Sequence, residues 1–199
     1  MGFRISWLAA KGLSKSALLA HFGLHDTGVV DEANESPFSV AELPTGWAVL
    51  WSNDQRFANI ERATELSRLA PVISCMVNET VMFSSANYFE DGTYNWFVGH
   101  NAQKGMFDLQ IEGDLPSQFE EIRRSLMQQQ DSEGGDAADV DFIFDIPLEL
   151  ARTVCGFKHD MTQFDWGEPE FFEAKPIEQT TQGMTTKPRG LFSRLFGRL

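Results

Sequence analysis

The sequence contains few residues of the kind that build metal centres and disulfide frameworks. Its 199 residues include two cysteines, Cys75 and Cys155, with no CxxC or other metal-binding spacing. Both lie among apolar neighbours, which favours buried, reduced thiols in a cytosolic protein. The sequence also lacks a dinucleotide fingerprint, a phosphate-binding glycine-rich loop and a solenoid repeat. We therefore predict neither a metal site nor a cofactor.

Long apolar runs are missing as well. No run approaches the roughly 18 apolar residues that a membrane-spanning helix requires. The first residues lack the charged start and apolar core of a secretory signal. They match a short N-terminal acylation pattern, but they are better interpreted as the start of a strand. We expect a cytoplasmic protein.

Basic side chains are scarce and unevenly placed. The chain has 16 Lys and Arg against 29 Asp and Glu, a net charge of −13. This balance argues against non-specific nucleic-acid binding, which needs a basic face. It fits a basic protein partner, or serves solubility alone. All acidic residues precede position 187, whereas Lys187, Arg189, Arg194 and Arg198 lie in the last segment of the chain.

The sequence contains enough apolar residues to form a hydrophobic core. Hydrophobic residues make up 42% of the chain, including 17 Phe and 5 Trp, so one folded domain is expected. We assign residues 1–174 to a globular domain. Residues 175–188 lack periodicity and are predicted to be a flexible linker, and residues 189–199 form a basic amphipathic tail.

The pattern within the domain predicts a mixed fold. Helices are predicted over residues 14–22 and 59–69, and residues 26–46 are interpreted as a long acidic loop. Asp91-Gly92 is typical of a two-residue hairpin turn, which would pair Phe89 with Tyr94 and Asn87 with Trp96. Strands are predicted over residues 3–10, 47–52, 72–77, 81–89, 94–100 and 106–112.

Two further helices are predicted after these strands. Asp114 and Asp145 each stand two residues before a proline, which is typical of a helix cap followed by proline in the first turn. Gly156 is a natural stop for the second helix. In total we predict a single α+β domain with a mostly antiparallel β-meander packed by short helices.

The tail is the first candidate site. On a helical projection its two arginines, Arg194 and Arg198, lie opposite a compact apolar face. Such a peptide can dock into a partner's groove, lie on an anionic membrane surface, fold back on the acidic body, or fray. Gly190 and Gly197 each lower its helix stability by about 1 kcal/mol. The apolar face consists of Leu191, Phe192, Leu195, Phe196 and Leu199.

The second candidate is an alternative catalytic set. His159 and Asp160 are adjacent, and a carboxylate can orient an imidazole for metal binding or general-base chemistry. His100 and Glu79 would complete the set, although a surface role or a role in tying a loop is the more common explanation for such a histidine. Tyr94 and Trp96 are aromatic residues of one predicted strand, and they either line a pocket or belong to the core.

Four segments resemble a group of bacterial proteins without an assigned activity. These are residues 2–7 (GFRISW), 43–47 (LPTGW), 144–147 (FDIP) and 156–160 (GFKHD). The resemblance covers most of the body but not the tail. It implies a bacterial cytoplasmic setting and no catalytic residue or ligand.

The leading functional hypothesis is therefore a non-enzymatic binding protein. Its acidic body would meet a basic protein partner, in the manner of an immunity or adaptor protein. Its tail would contribute to docking, or to peripheral contact with the inner membrane surface. The alternative is a small hydrolase-type enzyme that uses His159, Asp160, His100 and Glu79.

Overall fold

The computed structural model describes residues 2–177 of the chain, so the prediction for the tail lies outside the described residues. The fold is α+β, as predicted. Nine strands form one antiparallel open sheet in the order β2-β9-β3-β4-β1-β5-β6-β7-β8. Helices cover both of its faces, so the strands in the middle of the sheet are buried on both sides.

The elements have the following bounds. The strands are β1 (Arg4–Lys11), β2 (Leu24–Val30), β3 (Phe38–Glu42), β4 (Trp47–Ser52), β5 (Val72–Asn78), β6 (Phe83–Glu90), β7 (Thr93–Asn101), β8 (Leu109–Gly113) and β9 (Phe172–Pro176). The helices are α1 (Lys15–His21), α2 (Ile60–Leu66), α3 (Phe119–Ser132) and α4 (Asp145–Cys155), with a short 3-10 turn at Gly135–Ala137.

The sheet separates two hydrophobic cores. Successive residues of a strand point to opposite faces, so in β1 Trp7 joins the core beneath α4 whereas Leu8 joins the core beneath α1 and α2. Trp7 is fully buried and lies in register with Trp51 of β4 and Cys75 of β5. We call these the α4 face and the α1/α2 face of the sheet.

Local signals placed the first helix correctly. Ser14 is the N-cap of α1, and its hydroxyl accepts a hydrogen bond of 3.2 Å from the backbone N–H of Ala17. Asn59 caps α2 in the same way through the backbone N–H of Arg62. Gly156 ends α4 in the left-handed conformation, at a φ of 81°, as predicted.

The interpretation of residues 26–46 as a loop was wrong, because this region contains most of β2 and all of β3. Both strands pair with β9, which inserts between them: Leu24 lies opposite Pro176, and Val40 lies opposite Phe172. The partner strand is more than 100 residues away, so no local pattern reveals it. The strand β9 also includes Lys175 and Pro176, so the predicted start of the linker at residue 175 is wrong.

The β6–β7 hairpin has the predicted turn but a different register. Phe89 pairs with Tyr94 as predicted, but beyond this pair the register shifts, and Trp96 faces Tyr88 rather than Asn87. Asn95 is the extra residue, which makes a β-bulge. As a result Tyr94 packs against Phe89 on the α1/α2 face, whereas Trp96 stacks on Tyr88 on the α4 face. Tyr94 and Trp96 therefore do not line one pocket.

The two predicted aspartate caps were also wrong. The helix α3 begins at Phe119, after Gln118, so Asp114 lies outside it. Asp145 is the first residue of α4 and makes no capping hydrogen bond there, since the N-cap position is Phe144. The carboxylate of Asp145 instead contacts the ammonium group of Lys158.

In residues 2–177, none of the helices combines the length and the apolar composition that crossing a lipid bilayer would require.

Candidate binding cleft

His100 has a structural role on the α4 face. Its side chain is fully buried, with Nδ1 at 2.7 Å from the carbonyl oxygen of Asp108 and Nε2 at 2.9 Å from the carboxylate of Asp141. The ring is thus held at both of its nitrogens. His100 thereby fastens β7 to the segments before β8 and α4.

The ammonium group of Lys158 forms ion pairs with three carboxylates near the start of α4. Its side chain is 7% exposed, and Nζ lies 2.9 Å from Asp145, 3.1 Å from Glu149 and 3.3 Å from Asp160. Burial alone would lower the pKa of Lys158, but Asp145 and the other two carboxylates outweigh it, so the pKa is raised. Burial also raises the pKa of Asp145. Lys158 lowers this pKa, but the like charges of Asp160 and Glu149 act in the same direction as burial, so the pKa stays raised.

His159 is buried without a hydrogen-bond partner among residues 2–177. Its side chain is 1% exposed, and neither ring nitrogen is within hydrogen-bond distance of an acceptor or donor. The carboxylate of Glu79 lies 3.9 Å from Nε2, and the edge-on ring of Phe3 has its centroid 4.9 Å from that of the imidazole. Burial lowers the pKa of His159 to about 4, against the charge of Asp160, which acts in the opposite direction. The ring is therefore neutral at pH 7.

Within residues 2–177, no member of the alternative catalytic set forms a hydrogen bond to His159. Asp160 contacts Lys158, His100 contacts Asp141, and the carboxylate of Glu79 lies 3.9 Å from Nε2 of His159. A catalytic imidazole is typically oriented by a hydrogen bond at its second ring nitrogen, and His159 has none among the described residues. Over the described part of the chain, no group of three or more His, Cys, Asp or Glu is arranged to hold a metal ion.

His159 instead lies in the wall of a small cavity that opens into a larger cleft. The inner cavity has a volume of about 130 Å³ and includes Asn34, Phe157, His159 and Met161 among its lining residues. The outer cleft has a volume of about 580 Å³. The two share Glu32, Glu168, Pro169 and Phe171, and the outer cleft adds Val30 and Glu170.

One wall of the cleft is the loop between β2 and β3, which two polar side chains hold in place. The carboxylate of Asp31 accepts hydrogen bonds from the backbone N–H groups of Glu35 and Ser36 and from the hydroxyl of Ser39, the last at 2.6 Å. Burial alone would raise the pKa of Asp31, but these hydrogen bonds outweigh it and lower the pKa. Asn53 supports the same loop by donating to the carbonyl oxygen of Asn34 at 2.7 Å.

The other wall is the segment between α4 and β9. The rings of Phe157 and Phe171 lie 5.7 Å apart and form its apolar base, and Phe157 also packs edge-on against Trp7 in the core. A backbone hydrogen bond of 2.8 Å from Asp31 to the carbonyl oxygen of Phe171 joins the two walls. Both walls are thus fixed to the sheet.

Of these cavity residues, the sequence pointed to His159 but not to Glu32, Asn34 or Glu168. Glu32 and Asn34 precede His159 and Glu168 by more than 100 positions, and the two pairs meet because β9 inserts between β2 and β3. Asn34 adopts a positive φ of 51°, which asparagine tolerates better than most residues. The acidic composition of residues 26–46 was the one signal that pointed to this wall.

No protein-family model, no curated protein and no solved structure matches this chain. The case for a function therefore depends on the cleft itself.

Proposed function

We propose that this chain is a non-enzymatic binding protein whose outer cleft receives a basic segment of a protein partner in the cytoplasm. The observation that carries this proposal is the composition of the cleft. Glu32, Glu168 and Glu170 line it, and among its described lining residues there is no Lys or Arg. A concave surface with one sign of charge attracts and orients a partner of the opposite sign.

Apolar surface beside the carboxylates supports the same interpretation. Val29 and Val30 are 57% and 47% exposed at the end of β2, and Val30 lines the outer cleft together with Pro169. Protein interfaces combine a desolvated apolar centre with a polar rim. Exposed valines next to three carboxylates fit a partner segment that alternates basic and apolar side chains, as an immunity or adaptor protein would bind.

Reversing the charge of the cleft should weaken binding to basic peptides. We expect the triple variant Glu32→Lys, Glu168→Lys and Glu170→Lys to lose at least about tenfold in affinity for a peptide of mixed Lys, Arg and Leu, because attraction becomes repulsion. Isothermal titration calorimetry at low and physiological salt measures this loss. The three side chains are exposed, so the fold should be retained.

A matched variant separates the cleft from the overall charge of the body. Glu61, Glu65 and Glu133 are exposed acidic residues on α2 and after α3, away from the cleft. Reversing these three makes the same change in net charge. Equal losses of peptide affinity in the two triple variants would show that binding depends on net charge and not on the cleft, and would overturn the proposal.

The tail is proposed as a second, separate contact. Its arginines complement an anionic surface rather than a basic partner, and its apolar residues match an interfacial helix (Leu191, Phe192, Arg194, Leu195, Phe196, Arg198 and Leu199). We expect the full chain to sediment with phosphatidylglycerol-containing vesicles and a variant ending at residue 186 to remain in the supernatant. Both should bind basic peptides equally. If the truncated variant still bound vesicles, the proposal that the tail makes the membrane contact would be wrong.

A further inference from the structure

The wall of the inner cavity contains two residues with buried polar atoms that have no hydrogen-bond partner within residues 2–177. These atoms are both ring nitrogens of His159 and Oδ1 of Asn34. Folded proteins leave few buried polar groups unpaired, because each costs about 1–3 kcal/mol. Both residues line one cavity, but these atoms are inaccessible to a water molecule in this structure. A ligand that supplies the missing hydrogen bonds must therefore displace the side chains that cover them.

The surrounding groups define the chemistry of that ligand. Asn34 Oδ1 is an acceptor, and a neutral imidazole offers one accepting nitrogen. The carboxylates of Glu32 and Glu168 lie where the inner cavity meets the outer cleft. Phe157 and Phe171 add aromatic surface, which attracts cations. The cavity therefore fits a positively charged hydrogen-bond donor.

We infer that the inner cavity is the subsite for the guanidinium group of an arginine side chain, an inference that rests on the proposed binding of a basic partner. A volume of about 130 Å³ corresponds to about four water molecules in the liquid, enough for a planar guanidinium. Guanidinium presents its N–H donors in a fixed fork and stacks on aromatic rings, whereas an ammonium is a compact, strongly hydrated charge. Asn34 and His159 offer acceptors from two separate walls of the cavity, and the diverging N–H groups of one guanidinium can donate to both.

Two probe peptides of equal charge test this assignment. One contains arginine at each basic position and the other contains lysine, with the same Gly and Leu residues between them. We expect the full chain to bind the arginine peptide at least tenfold more tightly. The ring resonances of His159 in NMR spectra should shift on addition of the arginine peptide and not of the lysine peptide.

Asn34→Gly removes the unpaired carbonyl but permits the positive φ of this position. We expect it to abolish the preference for arginine. Asp91→Gly is the matched control, since Asp91 has a φ of 53° in the β6–β7 turn, distant from the cleft; it should keep the preference.

The possible results separate the subsite from the cleft. If the wild-type chain binds both peptides equally and the His159 resonances do not move, the guanidinium subsite is wrong, and the cleft proposal survives provided that its triple variant loses both peptides. If that triple variant binds both peptides as well as wild type does, the proposed function itself fails. The His159 resonances report on the subsite even if Asn34→Gly proves unstable.

Discussion

Replacement of Lys158 by methionine is expected to lower the free energy of unfolding by about 3 kcal/mol. Removing one partner of a buried ion pair leaves its counter-charges uncompensated and typically costs about 3–5 kcal/mol. Here three carboxylates, those of Asp145, Glu149 and Asp160, would lose their common ammonium. We expect the lower end of the range because these carboxylates are partly exposed. Urea-induced unfolding at pH 7 measures the change.

Lys175→Met provides the control for this prediction. Its ammonium lies 3.0 Å from Glu173, but its side chain is 57% exposed, so its loss should cost less than about 1 kcal/mol. In the double variant Lys158→Met and Asp145→Asn, part of the stability should return, because one of the unpaired charges is gone. Equal effects of the two methionine variants would show that Lys158 does not hold the start of α4.

Acidification should destabilise the protein through His159. Its pKa is lowered from about 6.5 in the unfolded chain to about 4 in the fold by burial. Between these values the unfolded chain binds more protons than the folded one, so the free energy of unfolding falls as the pH falls. The difference corresponds to a loss on the order of 3 kcal/mol between pH 6.5 and 4.

Comparison with His159→Gln isolates this contribution. Other groups also act near pH 4: the raised pKa of Asp145 favours the folded state on acidification, and the lowered pKa of Asp31 opposes it. Wild type and the His159→Gln variant both retain Asp145 and Asp31, so the difference between their curves of stability against pH reports on His159 alone. His25→Gln, which removes an exposed imidazole, controls for the loss of a histidine. Parallel curves for wild type and His159→Gln would contradict the prediction.

The sequence predicts elements whose determinants are local. Ser14 and Asn59 cap their helices, Gly156 ends α4, and Asp91-Gly92 turns the β6–β7 hairpin. Each of these depends on a few adjacent residues. The α+β class and the antiparallel meander follow from them together with the alternation of apolar residues.

Longer-range determinants explain the errors. Asp145 resembles a cap, but a buried lysine 13 positions later attracts its carboxylate, and that lysine becomes buried only when the segment after α4 packs. The bulge at Asn95 moves Trp96 to the other face of the sheet without any glycine or proline at that position. The strands β2 and β3 have mixed polar composition and are stabilised by β9.

The candidate site also combines local determinants, which the sequence reveals, with longer-range ones, which it does not. The sequence points to His159 because this histidine stands beside an aspartate, and the predicted pairing with Asp160 follows from that adjacency alone. Asp160 contacts Lys158 instead, and the cavity that contains His159 is built from both the loop after β2 (Glu32 and Asn34) and the segment between α4 and β9. Such a meeting depends on sheet topology, which a single sequence does not specify.

The position of β9 has a consequence for biosynthesis. A nascent chain that has not yet released Phe172–Pro176 contains β2 and β3 without the strand that lies between them in the finished sheet. The backbone hydrogen bond from Asp31 to Phe171, which joins the two cleft walls, also cannot form before that point. If the cleft binds a partner as we propose, a prematurely terminated product would lack the fixed cleft walls that binding requires. Binding would then occur only after translation had reached the end of the folded domain.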